Sequence, residues 1–234
     1  MSLSTLDNKV VLITGAKGGL GNSATQAFLD SGATVIGVSR SIQTSDFPHP
    51  RFVAMPAELS SGQAARNLAD TVIVGHRRID VLVHLVGGFA GGKSVPETDD
   101  TTLERMLDMN VKSTFYITSA VVPHMRGAGW GRILAIGSRA ALEPVASAGA
   151  YSASKAAVVS LIRTLAIENK DRWITANVIL PGTMDTPANR AADPSADFSK
   201  WIQPSQVAAM LLHLASDAAA QVSGAVIPVY GTDV

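Results

Sequence analysis

Short, uninterrupted apolar runs recur along this chain, each separated from the next by a stretch with helical spacing. "KVVLITG" opens the series, and "ATVIGVSR", "RFVAMPAEL", "DVLVHLVGG", "GRILAIGS", "ITANVILPG" and "GAVIPV" follow. Several lack polar alternation, so both faces of each strand are expected to be buried, as in a parallel sheet covered by helices on both sides. The intervening segments supply those helices. Ala24, Ala27 and Phe28 repeat at helical spacing before Gly32, and Ala65, Leu68, Ala69 and Val72 form one apolar stripe over about Ser60 to Val74. Further helices are predicted from Thr101 to about Arg126, from Tyr151 to about Asn169, and after Pro204 and Ser205. The alternation implies an α/β fold: one doubly wound domain over residues 1–234 with a seven-stranded, mainly parallel sheet.

In such a sheet, ligands bind beyond the carboxyl ends of the strands. The three longest stretches without periodicity, Phe89 to Thr98, Arg139 to Gly149 and Gly182 to Lys200, all follow strand ends and are the candidate walls of a site. Composition narrows what that site can bind. Nineteen basic residues balance nineteen acidic ones, leaving no electrostatic footprint for nucleic acid or an anionic membrane. The absence of cysteine excludes disulfides and thiolate chemistry. The five histidines do not pair at metal-ligand spacing, so no metal is expected. No apolar run approaches the ~18 residues of a membrane span, and the N-terminus does not read as a secretory signal, so a cytoplasmic protein is expected.

The segment "TGAKGGLG" places Gly15, Gly19 and Gly21 between a strand and a helix, although Gly15, Gly18 and Gly21 fit a second spacing equally well. Glycines there allow a tight turn and let a pyrophosphate approach the free N–H groups at the helix start, around Leu20. Dinucleotide sites commonly carry an acidic residue at the end of the second strand. Here that end reads Ser39-Arg40, and a guanidinium suits a 2′-phosphate, with Lys17 as a second cation, so NADP(H) is expected over NAD(H).

"GAYSASKAAVVSLI" sets a phenol, Tyr151, one helical turn before an ammonium, Lys155. The neighbouring cation is expected to lower the phenol's pKa from ~10 toward the working range of an acid-base catalyst. Ser138, ending the fifth strand, and Asn110, in the helix before it, are expected to converge on the same edge.

Together these motifs resemble the short-chain dehydrogenase/reductase family over essentially the whole chain. Its glycine motif is similar to "TGAKGGLG", and its catalytic set to Asn110, Ser138, Tyr151 and Lys155. The resemblance implies a Rossmann-type fold and hydride transfer between a nicotinamide cofactor and a carbonyl or secondary alcohol. It makes Tyr151 the general acid/base, Ser138 the group that holds the reacting oxygen, Lys155 the partner of the nicotinamide ribose and Asn110 the holder of a water. It also adds Pro181, Gly182, Thr183 and Thr186 to the cofactor site, with Glu58 and Leu59 toward adenine. Gly87 joins that site in "HLVGG", where many members carry Asn-Asn-Ala-Gly; His84 in that segment reads as structural.

"VGGFAGG" and "DTPANRAADPSADFSKW" are locally similar to dihydropteridine reductase, an alternative reading, although Ser138 and Arg40 depart from that subgroup. A dinucleotide-binding sensor without turnover is the alternative of another class. Phe198 and Trp201 either wall a substrate site or pack the loop down. A homotetramer, or failing that a dimer, is expected through apolar positions of two long helices: Phe115, Tyr116, Val121, Val158, Val159 and Ile162.

Overall fold

Residues 6–231 are described in the structure, a computed structural model. Its strands are β1 (Val10–Thr14), β2 (Thr34–Ser39), β3 (Phe52–Pro56), β4 (Val81–His84), β5 (Gly131–Ile136), β6 (Ile174–Pro181) and β7 (Val226–Val229). All pair in parallel in the order β3-β2-β1-β4-β5-β6-β7. The seven apolar runs thus form one sheet. Its order reverses where β1 lies between β2 and β4, which opens the crevice expected for a ligand beyond their carboxyl ends.

The main helices are α1 (Gly19–Asp30), α2 (Gly62–His76), α3 (Asp100–Met106), α4 (Ser113–Ala128), α5 (Gly149–Glu168), α6 (Pro187–Ala192) and α7 (Pro204–Ala215). Alternate strand residues face opposite layers. Val10 and Leu12 join the core that Leu68, Ile117 and Ile162 of α2, α4 and α5 complete. Val11 and Ile13 join the core with Phe28 of α1 and Leu211 of α7.

Three features differ from the sequence reading. The fourth strand stops at His84, and after a last bond from Leu85 N to Thr14 O at 3.0 Å the chain leaves the ladder beside the Gly15 turn. The helix predicted from Thr101 to about Arg126 begins at Asp100 and ends at Ala128, and is interrupted by a π segment, Leu107–Lys112. Here the hydroxyl-rich sequence after Asn110 satisfies local carbonyls: Ser113 donates to Met109 O at 2.6 Å, Thr114 to Asn110 O at 2.6 Å and Thr118 to Thr114 O at 2.7 Å.

The third difference concerns the six apolar residues proposed for subunit contacts. Val121, Val158, Val159 and Ile162 are buried within the chain, because α4 and α5 serve the same internal core. Tyr116 is half-buried against it, and only Phe115, 53% exposed, stays open. Among the described residues no helix is long and apolar enough to cross a membrane, and no cluster of three or more His, Asp or Glu is placed to hold a metal ion.

Candidate active site

The glycine turn follows β1 directly. Gly15 adopts φ +77°, and its N–H and that of Ala16 both donate to Val38 O, at 2.8 and 3.1 Å, which docks the turn on the end of β2. A Cβ on Gly21 would lie 2.1 Å from Gly15 O and 2.6 Å from Ala16 C, both backbone atoms that cannot give way. A Cβ on Gly19 would meet Thr186 Cγ2 at 2.7 Å, so Thr186, arriving after β6, sits over the turn. Gly18 has an ordinary φ of −76° and caps α1 without a side-chain bond, so its lack of a side chain is less stringent. Gly19 faces the closer obstruction of the two glycines that separate the spacings, since a Cβ on Gly18 would lie 3.2 Å from Gly15 O. The uncapped start of α1, including Leu20, presents backbone N–H groups suited to a phosphate.

Beside it lies the end of β2. Lys17 N–H donates to Ser39 Oγ at 3.1 Å, and Lys17 Nζ lies 2.9 Å from Asp46 Oδ2. Arg40 extends into solvent with its nearest carboxylate, Glu58, at 3.9 Å, while Leu59 is buried. Arg40 and Lys17 thus both stand at the end of β2.

The candidate catalytic groups come together at the next strands. Lys155, buried on α5, donates to Ile136 O at 3.0 Å at the end of β5. Asn110, buried in the π segment, accepts from Gly88 N at 2.9 Å and donates to Gly88 O at 3.1 Å and to Ser154 Oγ at 2.9 Å. Ser154 in turn donates to Tyr151 O at 2.7 Å, so Asn110 braces the helix start that carries the tyrosine. A Cβ on Gly87 would fall 2.8 Å from Asn110 Oδ1 and 3.1 Å from Lys155 Nζ, which makes this glycine the gap that lets the two polar groups close in. Ser138 accepts from Ala140 N at 3.2 Å and hydrogen-bonds Tyr151. The ring of Phe89 packs edge-on to Tyr151, with centroids 4.9 Å apart.

Electrostatics depart from the sequence argument. Burial pushes the Tyr151 phenol above its ordinary value, Ser138 opposes that, and Lys155 supplies no resolved lowering. The reason is desolvation: burial penalises the phenolate. It also penalises the ammonium, pushing Lys155 down to about 8. His84 is neutral, depressed to about 3 by burial and by Lys155. Its Nδ1 lies 2.7 Å from Thr14 Oγ1 and its Nε2 3.3 Å from Ser113 Oγ. Since Ser113 spends its proton on Met109 O, the ring assignment that fits is Nε2–H donating to Ser113 and Nδ1 accepting from Thr14. His84 therefore ties β1 and β4 to the first residue of α4, a structural place.

Pro181 ends β6, and Gly182 N donates to Val229 O at 3.0 Å. Thr183 lines a cavity of about 220 Å³ with Asp197, Lys200, Trp201 and Tyr230. Beyond it the chain is more ordered than its sequence suggests: Thr186 caps α6 by accepting from Asn189 N at 3.2 Å, and Arg190 pairs with Asp185. Trp201 rests on Phe198 at 4.7 Å between ring centroids, and Arg190 lies 4.6 Å over Phe198, so packing of the loop on itself accounts for both aromatics while Trp201 also faces the cavity.

The short chain dehydrogenase family model matches residues 9–197. The chain belongs to this family. It is 31% identical to the rhamnolipids biosynthesis 3-oxoacyl-[acyl-carrier-protein] reductase of Pseudomonas aeruginosa, over 97% of this chain and 96% of that protein. It is 30% identical to the short chain dehydrogenase adrF of Penicillium roqueforti, over 97% of each. Among solved structures, a short-chain type dehydrogenase/reductase from Mycobacterium ulcerans superposes with a TM-score of 0.91 at 27% identity, covering 97% of this chain and 90% of that one. As a member of this family the chain is an NAD(P)-dependent oxidoreductase, and the sensor reading is not favoured. The relatives do not favour the pterin alternative.

Sequence reasoning missed three participants in this short-chain dehydrogenase. Ser154 was visible in "YSASK" one residue before the lysine, and Phe89 as a lone aromatic among glycines. The carbonyl of Ile136, which receives Lys155, leaves no side-chain signal at all.

Proposed function

We propose that this enzyme reduces a ketone or 3-oxoacyl group, or oxidises the matching secondary alcohol, with NADP(H) preferred over NAD(H). The observation that carries the reading is the hydrogen-bonded Ser138–Tyr151 pair at the carboxyl edge, with buried Lys155 one turn along the same helix. The bound nicotinamide supplies or accepts hydride. The chain's own part is proton handling: Tyr151 gives a proton to the carbonyl oxygen in reduction and takes it back in oxidation, while Ser138 holds that oxygen by hydrogen bond. Lys155 is the group for the nicotinamide ribose, in the gap left by Gly87. Asn110 orients the start of α5 through Ser154 and Gly88, and any water it holds would stand behind Lys155.

The remaining cofactor contacts in this proposal are Gly15, Gly19, Leu20 and Gly21 at the pyrophosphate, Ser39, Arg40 and Lys17 at the adenosine ribose, and Glu58 and Leu59 at adenine. Pro181, Gly182, Thr183 and Thr186 stand at the nicotinamide end. Support comes from the convergence of these segments on one crevice, above all the approach of Thr186 to Gly19.

The test is initial rates with NADPH and NADH against one panel of diverse ketones, 3-oxoacyl thioesters and quinonoid dihydropterin. NADPH-driven ketone or thioester turnover is expected. Pterin turnover alone would overturn the substrate class, and equal efficiency with NADH would overturn the cofactor preference.

We further propose a homotetramer or dimer, resting on Phe115 of α4 and Ile167 of α5, which remain exposed after the core is complete. Light scattering at micromolar concentration is expected to give two or four chains, and a monomer would refute it.

A further inference from the structure

Two cations and two carboxylates meet at the end of β2, so their formal charges cancel. Lys17 Nζ is held between Asp46 Oδ2 at 2.9 Å and Ser41 O at 3.1 Å. Arg40 is 82% exposed and only loosely associated with Glu58. The two pairs differ in kind. Asp46 closes a 3₁₀ turn, Thr44–Asp46, and its Oδ2 also accepts from Gln43 N at 2.8 Å, so the backbone fixes the carboxylate where it meets Lys17. Its side chain is 24% exposed. Bonds from Lys17 and Gln43 keep it ionised, holding its pKa below the ordinary value.

We propose that Asp46 is a specificity-determining residue whose carboxylate occupies on Lys17 the place a 2′-phosphate needs, and so restrains the preference for NADP(H). The inference rests on the reading that Lys17 and Arg40 receive that phosphate. A phosphate arriving at Lys17 must either displace Asp46, leaving the carboxylate without its cation, or sit beside it, placing like charges together. NADP(H) bears this cost; NAD(H), with a neutral hydroxyl at the same position, does not, and its hydroxyl can donate to Asp46. The strand end itself offers only Ser39, so the acid comes from the following loop, at a sequence distance that inspection of the strand end does not reveal. Arg40 pulls toward NADP(H) and Asp46 against it.

The test is Asp46→Asn in the full chain, with dissociation constants for NADPH and NADH measured by calorimetry. Asparagine keeps an oxygen for Gln43 N–H and loses only the charge. The ratio of the NADH to the NADPH constant is expected to rise about five- to tenfold, through tighter NADPH binding. An unchanged ratio, or equal tightening of both cofactors, overturns the proposal. Arg40→Ala tests the underlying reading separately. Weaker NADPH binding with NADH unmoved supports it. If Arg40→Ala moves neither cofactor while Asp46→Asn shifts the ratio, Lys17 alone receives the phosphate: the Arg40 assignment falls and the role of Asp46 stands. Should Asp46→Asn fail to fold, Asp46→Ser, which also leaves an oxygen for the turn, is scored by the same ratio.

Discussion

Tyr151→Phe is expected to lower kcat/KM for carbonyl reduction by about 10²- to 10⁴-fold, the range for loss of a positioned proton donor. NADPH binding is expected to stay within about twofold of wild type, since only an oxygen is removed and the ring keeps its edge contact with Phe89. The loss belongs in kcat, because the phenol's proton is needed at the carbonyl oxygen only as charge develops there. Folding is expected to survive: the deleted hydroxyl forfeits one bond with Ser138, whose Oγ still accepts from Ala140 N. Steady-state kinetics beside a cofactor titration check this. A loss below about tenfold would remove Tyr151 from the proton-transfer step.

Lys155→Met is expected to separate activity from stability. Activity should fall about 10³-fold, in line with loss of a group that organises proton transfer. Stability of the cofactor-free protein at pH 7 should instead rise by about 2 kcal/mol, the cost of keeping a buried ammonium charged less the bond it makes to Ile136 O. The pH dependence gives the sign. Lys155 titrates near 8 when folded and near its ordinary 10.5 when unfolded. Below pH 8 both states hold the proton, and the native state bears the full penalty. Between 8 and 10.5 the unfolded chain binds more protons, so wild-type stability rises with pH and the advantage of Met shrinks. Denaturant melts at pH 7 and 9.5 should show the gap closing; a gap that does not change with pH would place the ammonium in a solvated setting, with the same pKa folded and unfolded.

The sheet was legible because a parallel strand buried on both faces writes itself as an unbroken run, as in "KVVLITG" and "ITANVILPG". The glycine turn and the Tyr151/Lys155 pair were legible because each depends on local spacing. Features that depend on what packs nearby were not. Val158, Val159 and Ile162 look like interface residues on a helical wheel, yet all three lie in the chain's own core, and the face of α5 left open carries Ser160, Arg163 and Ile167 instead. The expected lowering of Tyr151 by Lys155 failed for a related reason: four residues' separation sets neighbours on a helix, but not the burial that penalises the phenolate. The pairing of Lys17 with Asp46 spans a loop whose path no local pattern predicts.

The π segment has a consequence for inheritance. A π turn is in effect an α-helix with a single residue inserted, so Leu107–Lys112 absorbs one amino acid between two ordinary helices. After it, Ile117, Val121 and Met125 resume a four-residue repeat in the core as though nothing had intervened. A whole-residue change of length at this joint can therefore be taken up without rewriting the packing of α4. Asn110 sits at the joint itself, so a one-residue deletion there would regularise the helix and turn the asparagine away from Gly88 and Ser154. The catalytic edge thus depends on an irregularity whose loss would make the helix look more perfect.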